Sequence, residues 1–335
     1  MSRTSILGAG SWGSTLGLLL NDKGDHVRFW EYDADLVADL KVAGENRKFL
    51  PGVPWPPSVP VSNRMDEALE GADLVVLAVP SQALRSVTRR AASLIPRGAY
   101  LTSVVKGIER NSLMRMSEVL AQELGVEHRD RLGVLLGPSL AYEVARRIPT
   151  TVVASATEPR TAETIRDRFH TPYFRVYTND DLVGVELGVS LKNIIAIAAG
   201  ICDGLGYGAN TKGALLTRGL AEIARLGIAL GARRETFAGL TGMGDLITTC
   251  ISPHSRNRHV GDQIGRGRSL EDVLADMVMV AEGVETTQSA VDLARRVGVE
   301  LPITEQVHRV LFEGKPPLEA ITELMTRDPK DEFWS

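Results

Sequence analysis

Two hydrophobic rhythms divide this chain. Through its first 180 or so residues, short apolar runs alternate with stretches of helical period. Ser5-Ile6-Leu7 is the first run, and Thr15-Leu16-Gly17-Leu18-Leu19-Leu20 follows with the character of a helix. Residues 26–30 predict a second strand. Residues 73–79, 99–105 and 132–136 are mostly apolar runs, as expected of strands covered on both faces of a parallel sheet. Residues 150–154 and 174–177 predict two more strands. The proline-rich stretch 50–60 reads as a surface excursion between elements. From Asp181 onward the strand pattern stops, and helices are predicted over 182–202, 213–230, 253–265, 269–277, 286–297 and 302–312. The fold class expected is therefore α/β: a doubly wound parallel sheet over 1–184, followed by an all-α domain over 185–335. No internal repeat or long linker interrupts it, so the two parts should pack tightly.

The connection after the first strand carries chemistry. Gly8-Ala9-Gly10-Ser11-Trp12-Gly13 is a G-x-G-x-x-G sequence between a strand and a helix, the Rossmann-like setting in which it binds a dinucleotide. Gly8 permits a tight turn, Gly10 lets backbone approach a pyrophosphate, and Gly13 lets helix and strand pack closely. The N–H groups of Ser11 and Trp12 then face the phosphates at a positive helix end. An acid for the cofactor ribose is expected about 20 residues beyond the glycines, where Glu31-Tyr32-Asp33 ends the second strand. Ligands of such sheets sit beyond the carboxyl ends of the strands. Lys106 and Ser139 lie at two of those ends, although by position alone Lys106 could equally be a solvated loop lysine.

Composition narrows the classes. Of 335 residues, 44% are hydrophobic and 24% charged, an ordinary globular balance. A net charge of −4 argues against a nucleic-acid surface. Cys202 and Cys250 are the only cysteines, giving neither a disulfide framework nor a zinc cluster, and no metal is expected. The first strand runs straight into the glycine loop, so no signal peptide is expected. Residues 183–201 have the most membrane-like composition, but Glu186 and Lys192 lie within them; a buried helix with functional polar groups is expected instead of a span. A soluble, cytoplasmic protein follows.

Three features of the helical half stand out. Gly188, Lys192, Ala196 and Ala199 share one helix face, and small residues around one lysine are expected to leave room for a ligand. Burial would lower that lysine toward the working range of an acid/base; the alternative is a lysine snorkelling at a helix edge. Thr241-Gly242-Met243-Gly244-Asp245-Leu246 reads as a glycine-rich turn presenting one carboxylate, which by itself could be a cap. Ser252-Pro253 reads as a helix cap and first-turn proline, placing Ser255, Arg256 and Asn257 in the first turn, where an anionic phosphate would be held.

Together these segments resemble the bacterial form of the NAD(P)-dependent glycerol-3-phosphate dehydrogenase family. The matching stretches span nearly the whole chain. They include the glycine loop, Val105-Lys106-Gly107, Gly137-Pro138-Ser139, Leu191-Lys192-Asn193, Asn210-Thr211-Lys212, Thr217-Arg218-Gly219-Leu220-Ala221-Glu222, Gly244-Asp245-Leu246, Ser255-Arg256-Asn257 and Ala281-Glu282-Gly283. The resemblance implies reduction of dihydroxyacetone phosphate to sn-glycerol 3-phosphate, which feeds phospholipid synthesis. It implies Lys192 as proton donor and acceptor. Lys106, Gly137, Ser139, Lys192, Asp245, Ser255, Arg256 and Asn257 match its substrate-binding positions. Ser11, Trp12, Tyr32, Lys106, Ala141, Arg256, Val280 and Glu282 match its cofactor-binding ones, beside Gly8, Gly10, Gly13 and Glu31 from the residue pattern. Many bacterial members carry His or Arg at the end of the second strand. Glu31-Tyr32 here points to NAD as the preferred cofactor, with NADP as the second. The expected partners are the small-molecule substrate and a second copy in a homodimer, with no nucleic acid and no membrane insertion. A hydroxy-acid dehydrogenase of similar layout and a non-catalytic NAD(P) sensor are the rival readings; Lys192, Lys106 and Asp245 together speak against the sensor.

Overall fold

The computed structural model describes residues 2–329, 331 and 332; the last expected residues, 333–335, lie outside the described ones. Its strands are β1 (Arg3–Leu7), β2 (His26–Trp30), β3 (Glu45–Asn46), β4 (Leu50–Pro54), β5 (Val61–Ser62), β6 (Leu74–Leu77), β7 (Tyr100–Ser103), β8 (Leu132–Leu136), β9 (Thr150–Ala156) and β10 (Phe174–Asn179). Eight of them form one sheet in the order β10-β9-β8-β7-β6-β1-β2-β5. β1 lies inside it, third from the β5 edge and parallel to both neighbours, with Ile6 opposite Phe29 on one side and Val76 on the other. The inner strands are apolar on both faces because each face is covered: one by a cluster containing Ile6, Leu16, Phe29 and Phe169, the other by one containing Leu7, Leu77, Leu84 and Leu120.

The sheet is not wholly parallel, contrary to the sequence expectation. β8 pairs with β9 antiparallel, with Val134 opposite Ser155, and β9 then pairs parallel with β10. The reversal has a local cause. The link from Gly137 to Pro149 contains only a five-residue helix, Ala141–Ala145, whose Ala141 carbonyl takes the Thr15 hydroxyl of the first helix at 3.2 Å. That link turns back instead of crossing the sheet, so its strand returns antiparallel.

The proline-rich excursion is likewise more ordered than expected. β4 pairs back on β3, and Trp55 is buried with its ring 4.7 Å from that of Phe29. Asn46 of β3 reaches beneath the glycine loop and donates to the Ala9 carbonyl at 2.7 Å and to the Ser14 hydroxyl at 2.9 Å.

β10 ends at Asn179, and Asp181 caps the long helix Leu182–Gly204 by accepting from the Gly184 N–H at 2.9 Å. Gly184, where the sequence pattern divides the chain, thus lies in the first turn of that helix. Length and composition would suit the helix to a membrane, but 89% of its most apolar window is buried inside the protein. Ile194, Ile197 and Ala199 are fully inaccessible. Burying one such isoleucine contributes about 1.5–3 kcal/mol. Val185 and Val189 pack on Val134, Leu136 and Val153, joining the helix to the sheet's antiparallel corner. Helix Arg256–Gly265 crosses it at close range: a Cβ at Gly200 would run into the Arg258 carbonyl, and one at Gly261 into the Ile197 carbonyl.

The small-residue face around Lys192 therefore does not hold a ligand at Gly188. A Cβ there would lie 2.5 Å from the Thr241 carbonyl, so this glycine exists for backbone packing. Two helices begin a turn earlier than the pattern indicated, Ala209–Ala229 and Glu282–Val297, and Pro317–Met325 was not foreseen.

Candidate active site

Three charged side chains from three elements meet where the sheet abuts the helices. Lys106 follows β7. Lys192 lies in the middle of helix Leu182–Gly204, and Asp245 opens helix Asp245–Ile251. The Asp245 carboxylate lies between the two ammonium groups, 2.7 Å from Lys106 Nζ and 3.1 Å from Lys192 Nζ. Lys106 also donates to the Gly137 carbonyl at 2.9 Å. It is thus not a solvated loop lysine, and buried Lys192 does not snorkel. The Asp245 segment also departs from the simple turn expected of it. Residues Leu240–Gly244 form a π-helical turn running directly into the helix. The carboxylate consequently faces inward and is 2% exposed.

Burial would raise the Asp245 carboxyl; the Lys106 and Lys192 charges outweigh it and hold the group below the ordinary aspartate range. Lys192 shows the converse balance. Burial lowers it most, Asp245 raises it, and Lys106 lowers it again, leaving it at about 8. Asp245 is therefore ionised at neutral pH, and Lys192 is protonated yet close to releasing its proton. Thr249, which sequence reasoning missed, hydrogen-bonds Lys192 Nζ and donates to Asp245 Oδ1 at 3.2 Å. It lies four residues after Asp245, one helical turn along the same face, and that spacing was its only signal.

The phosphate-type turn is shifted by one turn from its expected start. Ser255, not Ser252, caps helix Arg256–Gly265, accepting from the Arg258 N–H at 3.3 Å. Ser252 ends the preceding helix, and its hydroxyl takes the His254 N–H at 3.1 Å. Arg256 is exposed and donates to the Val280 carbonyl at 2.6 Å. Asn257 is buried between elements: it donates to Asn193 Oδ1 at 2.9 Å and accepts from the Gly283 N–H at 2.8 Å. Ser139 donates to the Gly137 carbonyl at 3.1 Å. Glu282 accepts from the Ser81 N–H at 3.0 Å and pairs with its hydroxyl, tying the helix it opens to the loop after β6.

The glycine loop is shaped for a dinucleotide. Gly8 has φ of +108°, and a Cβ there would lie 2.7 Å from the Ala78 carbonyl. Gly13 lies against the Gly8 carbonyl. Gly10 has nothing within 4 Å of where its Cβ would be, an open cradle at the start of helix Ser11–Asp22. Ser11 donates to the Phe49 carbonyl at 2.6 Å, and the Trp12 ring lies 6.2 Å from that of Phe174. Glu31 braces the loop from below, accepting from the Ala9 N–H at 2.7 Å and from Asp33 N–H at 3.1 Å. Tyr32 is exposed, and Lys48 pairs with Asp33 at 3.0 Å beside it. Ala141 and Val280 lie at the entrances of the short helix after β8 and the helix begun by Glu282. These residues fit a nicotinamide dinucleotide. Among the described residues no group of three or more His, Cys, Asp or Glu is placed to hold a metal ion.

Comparison with known proteins agrees with this geometry. Family models described as the N-terminus and C-terminus of NAD-dependent glycerol-3-phosphate dehydrogenase match residues 3–162 and 181–322. The chain is 52% identical over 332 residues to glycerol-3-phosphate dehydrogenase [NAD(P)+] of Geobacter sulfurreducens, covering 99% of each. It is 53% identical over 331 residues to a second such protein, from Salinibacter ruber, covering 98% of this chain and 96% of that one. A crystal structure of glycerol-3-phosphate dehydrogenase from Coxiella burnetii superposes with a TM-score of 0.92 at 39% identity, covering 97% of this chain and 99% of that one. The protein thus belongs to the NAD-dependent glycerol-3-phosphate dehydrogenase family.

Proposed function

We propose that this protein reduces dihydroxyacetone phosphate to sn-glycerol 3-phosphate with a nicotinamide dinucleotide, in the cytoplasm, supplying glycerol phosphate for phospholipids. The observation that carries the reading is the buried Lys106–Asp245–Lys192 array, joined to a dinucleotide cradle on one side and the Arg256 helix start on the other. Residues 1–184 form the cofactor part and 185–335 the substrate part.

When bound, the nicotinamide supplies the hydride. Lys192 holds the proton that the ketone oxygen takes up as negative charge grows there, and Asp245 fixes the ammonium that gives it. Lys106 keeps a second positive charge on the same carboxylate and faces the substrate from the sheet side. Arg256, with the N–H groups of the turn capped by Ser255, takes the phosphate. Ser139, Gly137 and Asn257 line the remaining approach. Gly8, Gly10, Ser11, Trp12 and Gly13 hold the pyrophosphate end, Glu31 and Tyr32 the ribose end, and Lys106, Ala141, Arg256, Val280 and Glu282 the nicotinamide side.

NADH is preferred. Glu31 carries a negative charge where a 2′-phosphate would arrive. Arg28 is engaged with Glu70 at 3.2 Å and with the Glu67 carbonyl, and Lys48 is engaged by Asp33. Met243 in the π-helical turn and Ile247 and Ile251 in helix Asp245–Ile251, exposed at intervals of four, support a homodimer contact there. The deciding experiment is oxidation of NADH and NADPH with dihydroxyacetone phosphate, beside a panel of 2-keto acids. Turnover of dihydroxyacetone phosphate with NADH ahead is expected. A 2-keto acid turned over in its place overturns the substrate. NADPH equal or better overturns the cofactor choice, and Glu31→Ser is expected to narrow the gap between the two.

A further inference from the structure

The helix that carries Lys192 carries a second buried ionisable group that the chemistry above does not use. Glu186 is 3% exposed, six residues before Lys192. Its carboxylate accepts from the Ser117 N–H at 2.8 Å and the Ser117 hydroxyl at 2.6 Å, and it pairs with the Arg115 guanidinium. Arg115 is the last residue of the excursion that begins at Lys106, and a backbone bridge pairs it with Ile108. One turn along the helix, Ser190 donates to the Gly107 carbonyl at 3.2 Å. The same excursion holds two non-glycine residues with positive φ, Asn111 and Leu113. Such backbone persists only where its surroundings over-determine it.

We infer that Glu186 is a positioning residue: through Arg115, Ser117 and the Arg115–Ile108 bridge it sets where the Lys106 ammonium meets Asp245. The inference rests on the function proposed above and deepens it. One rigid helix then fixes both lysines of the array, Lys192 directly and Lys106 through the excursion that Glu186 clamps. The groups facing Lys192 are Asp245, Lys106, Thr249 and Cys250. Of these, only Lys106 belongs to the clamped excursion. A Lys106 that drifts from Asp245 removes a like charge from near Lys192 and frees more of the carboxylate to it, and both changes favour the protonated amine.

The test is Glu186→Gln, a near-isosteric change that keeps an acceptor for Ser117 and removes the charge that clamps Arg115. Misplacement of a catalytic group by about 1 Å can cost on the order of 10²-fold, so kcat/KM for dihydroxyacetone phosphate is expected to fall roughly 10- to 100-fold. The high-pH limb of that reaction, expected near 8 in the native enzyme, is expected to move upward. Carbon-13 NMR titration of the labelled lysine side chains is expected to show the same upward move for Lys192 without turnover. Glu186→Gln added to Lys106→Met is expected to cause little further loss, because both act through one ammonium. An unmoved limb and NMR titration, or losses that multiply in the double variant, would leave Glu186 as a packing residue and overturn the inference. A native enzyme that does not turn over dihydroxyacetone phosphate overturns the function itself, whereas the NMR titration still reads the positioning role.

Discussion

At the scale of single residues, the site works by placing like and unlike charges out of water. A lysine inside an apolar helix would be costly without a partner; Asp245 supplies one at 3.1 Å, and Lys106 keeps that partner from holding the proton too tightly. Lys192→Ala is expected to lower kcat by about 10²–10⁴-fold while cofactor affinity stays within a few-fold, because only proton transfer is lost. Stopped-flow turnover and fluorescence titration of NADH separate the two. Direction matters for pH. In the proposed reaction, ketone reduction needs Lys192 protonated, so its kcat/KM should fall as pH rises through about 8. Alcohol oxidation needs the neutral amine and should rise over the same range. Profiles measured in both directions that move together would assign the limb to another group. Lys192 was legible in the sequence because a charge interrupts an apolar helix. Thr249 was not, because a threonine at helical spacing from a carboxylate is commonplace; only the fold turns it toward Lys192.

At the scale of elements, the sequence errors share a cause: local signals compete, and packing decides. Ser252-Pro253 reads as a helix start, whereas the helix is capped by Ser255 and begins at Arg256. The Asp203–Arg258 ion pair at 2.6 Å and the close crossing of helix Leu182–Gly204 fit only the later start. Strands β2 and β8 follow the pattern residue for residue, and β1 begins two residues earlier; in β8, buried at every position, little other composition is open. The reversal at β9 was hidden, since strand direction leaves no trace in apolar content. The corrected start puts Arg256 at the first helical position, beside the cap. Arg256→Ala is expected to cost about 1.5–3 kcal/mol of phosphate interaction, or roughly 10–150-fold in kcat/KM. Unphosphorylated dihydroxyacetone should respond less. Equal losses on both ketones would show that Arg256 does not read the phosphate. Ser255→Ala removes the cap itself and is expected to lower stability by about 0.5–2 kcal/mol, read by urea unfolding.

At the scale of the whole molecule, the glycine loop and Lys106 follow strands β1 and β7 of one sheet, whereas Lys192 and Asp245 come from the helical half, so the site exists only in the folded chain. Ligand binding to the folded state must therefore appear as global stability, and the loop's glycines let that be separated from folding itself. Gly10 and Gly13 are three residues apart and were indistinguishable in sequence beyond their motif positions. The structure gives them opposite surroundings. A Cβ at Gly10 meets open space, and one at Gly13 meets the Gly8 carbonyl. Gly10 precedes the first helix with φ of −65°, a conformation any residue adopts. Gly10→Ala should then fold with native stability in the absence of cofactor, within the few tenths of a kcal/mol that separate alanine from glycine near a helix cap. NADH at 100 times its Kd stabilises a folded protein by about 2.7 kcal/mol. That gain should shrink sharply in Gly10→Ala if, as proposed, the pyrophosphate meets the backbone where the new methyl stands. Gly13→Ala should instead lower stability before any cofactor is added, because the new Cβ drives the helix off the loop. Thermal melts of both variants with and without NADH decide the matter. A full NADH-dependent rise in Gly10→Ala would place the pyrophosphate elsewhere than on this loop, and unchanged stability in Gly13→Ala would mean that the helix can shift to admit a methyl.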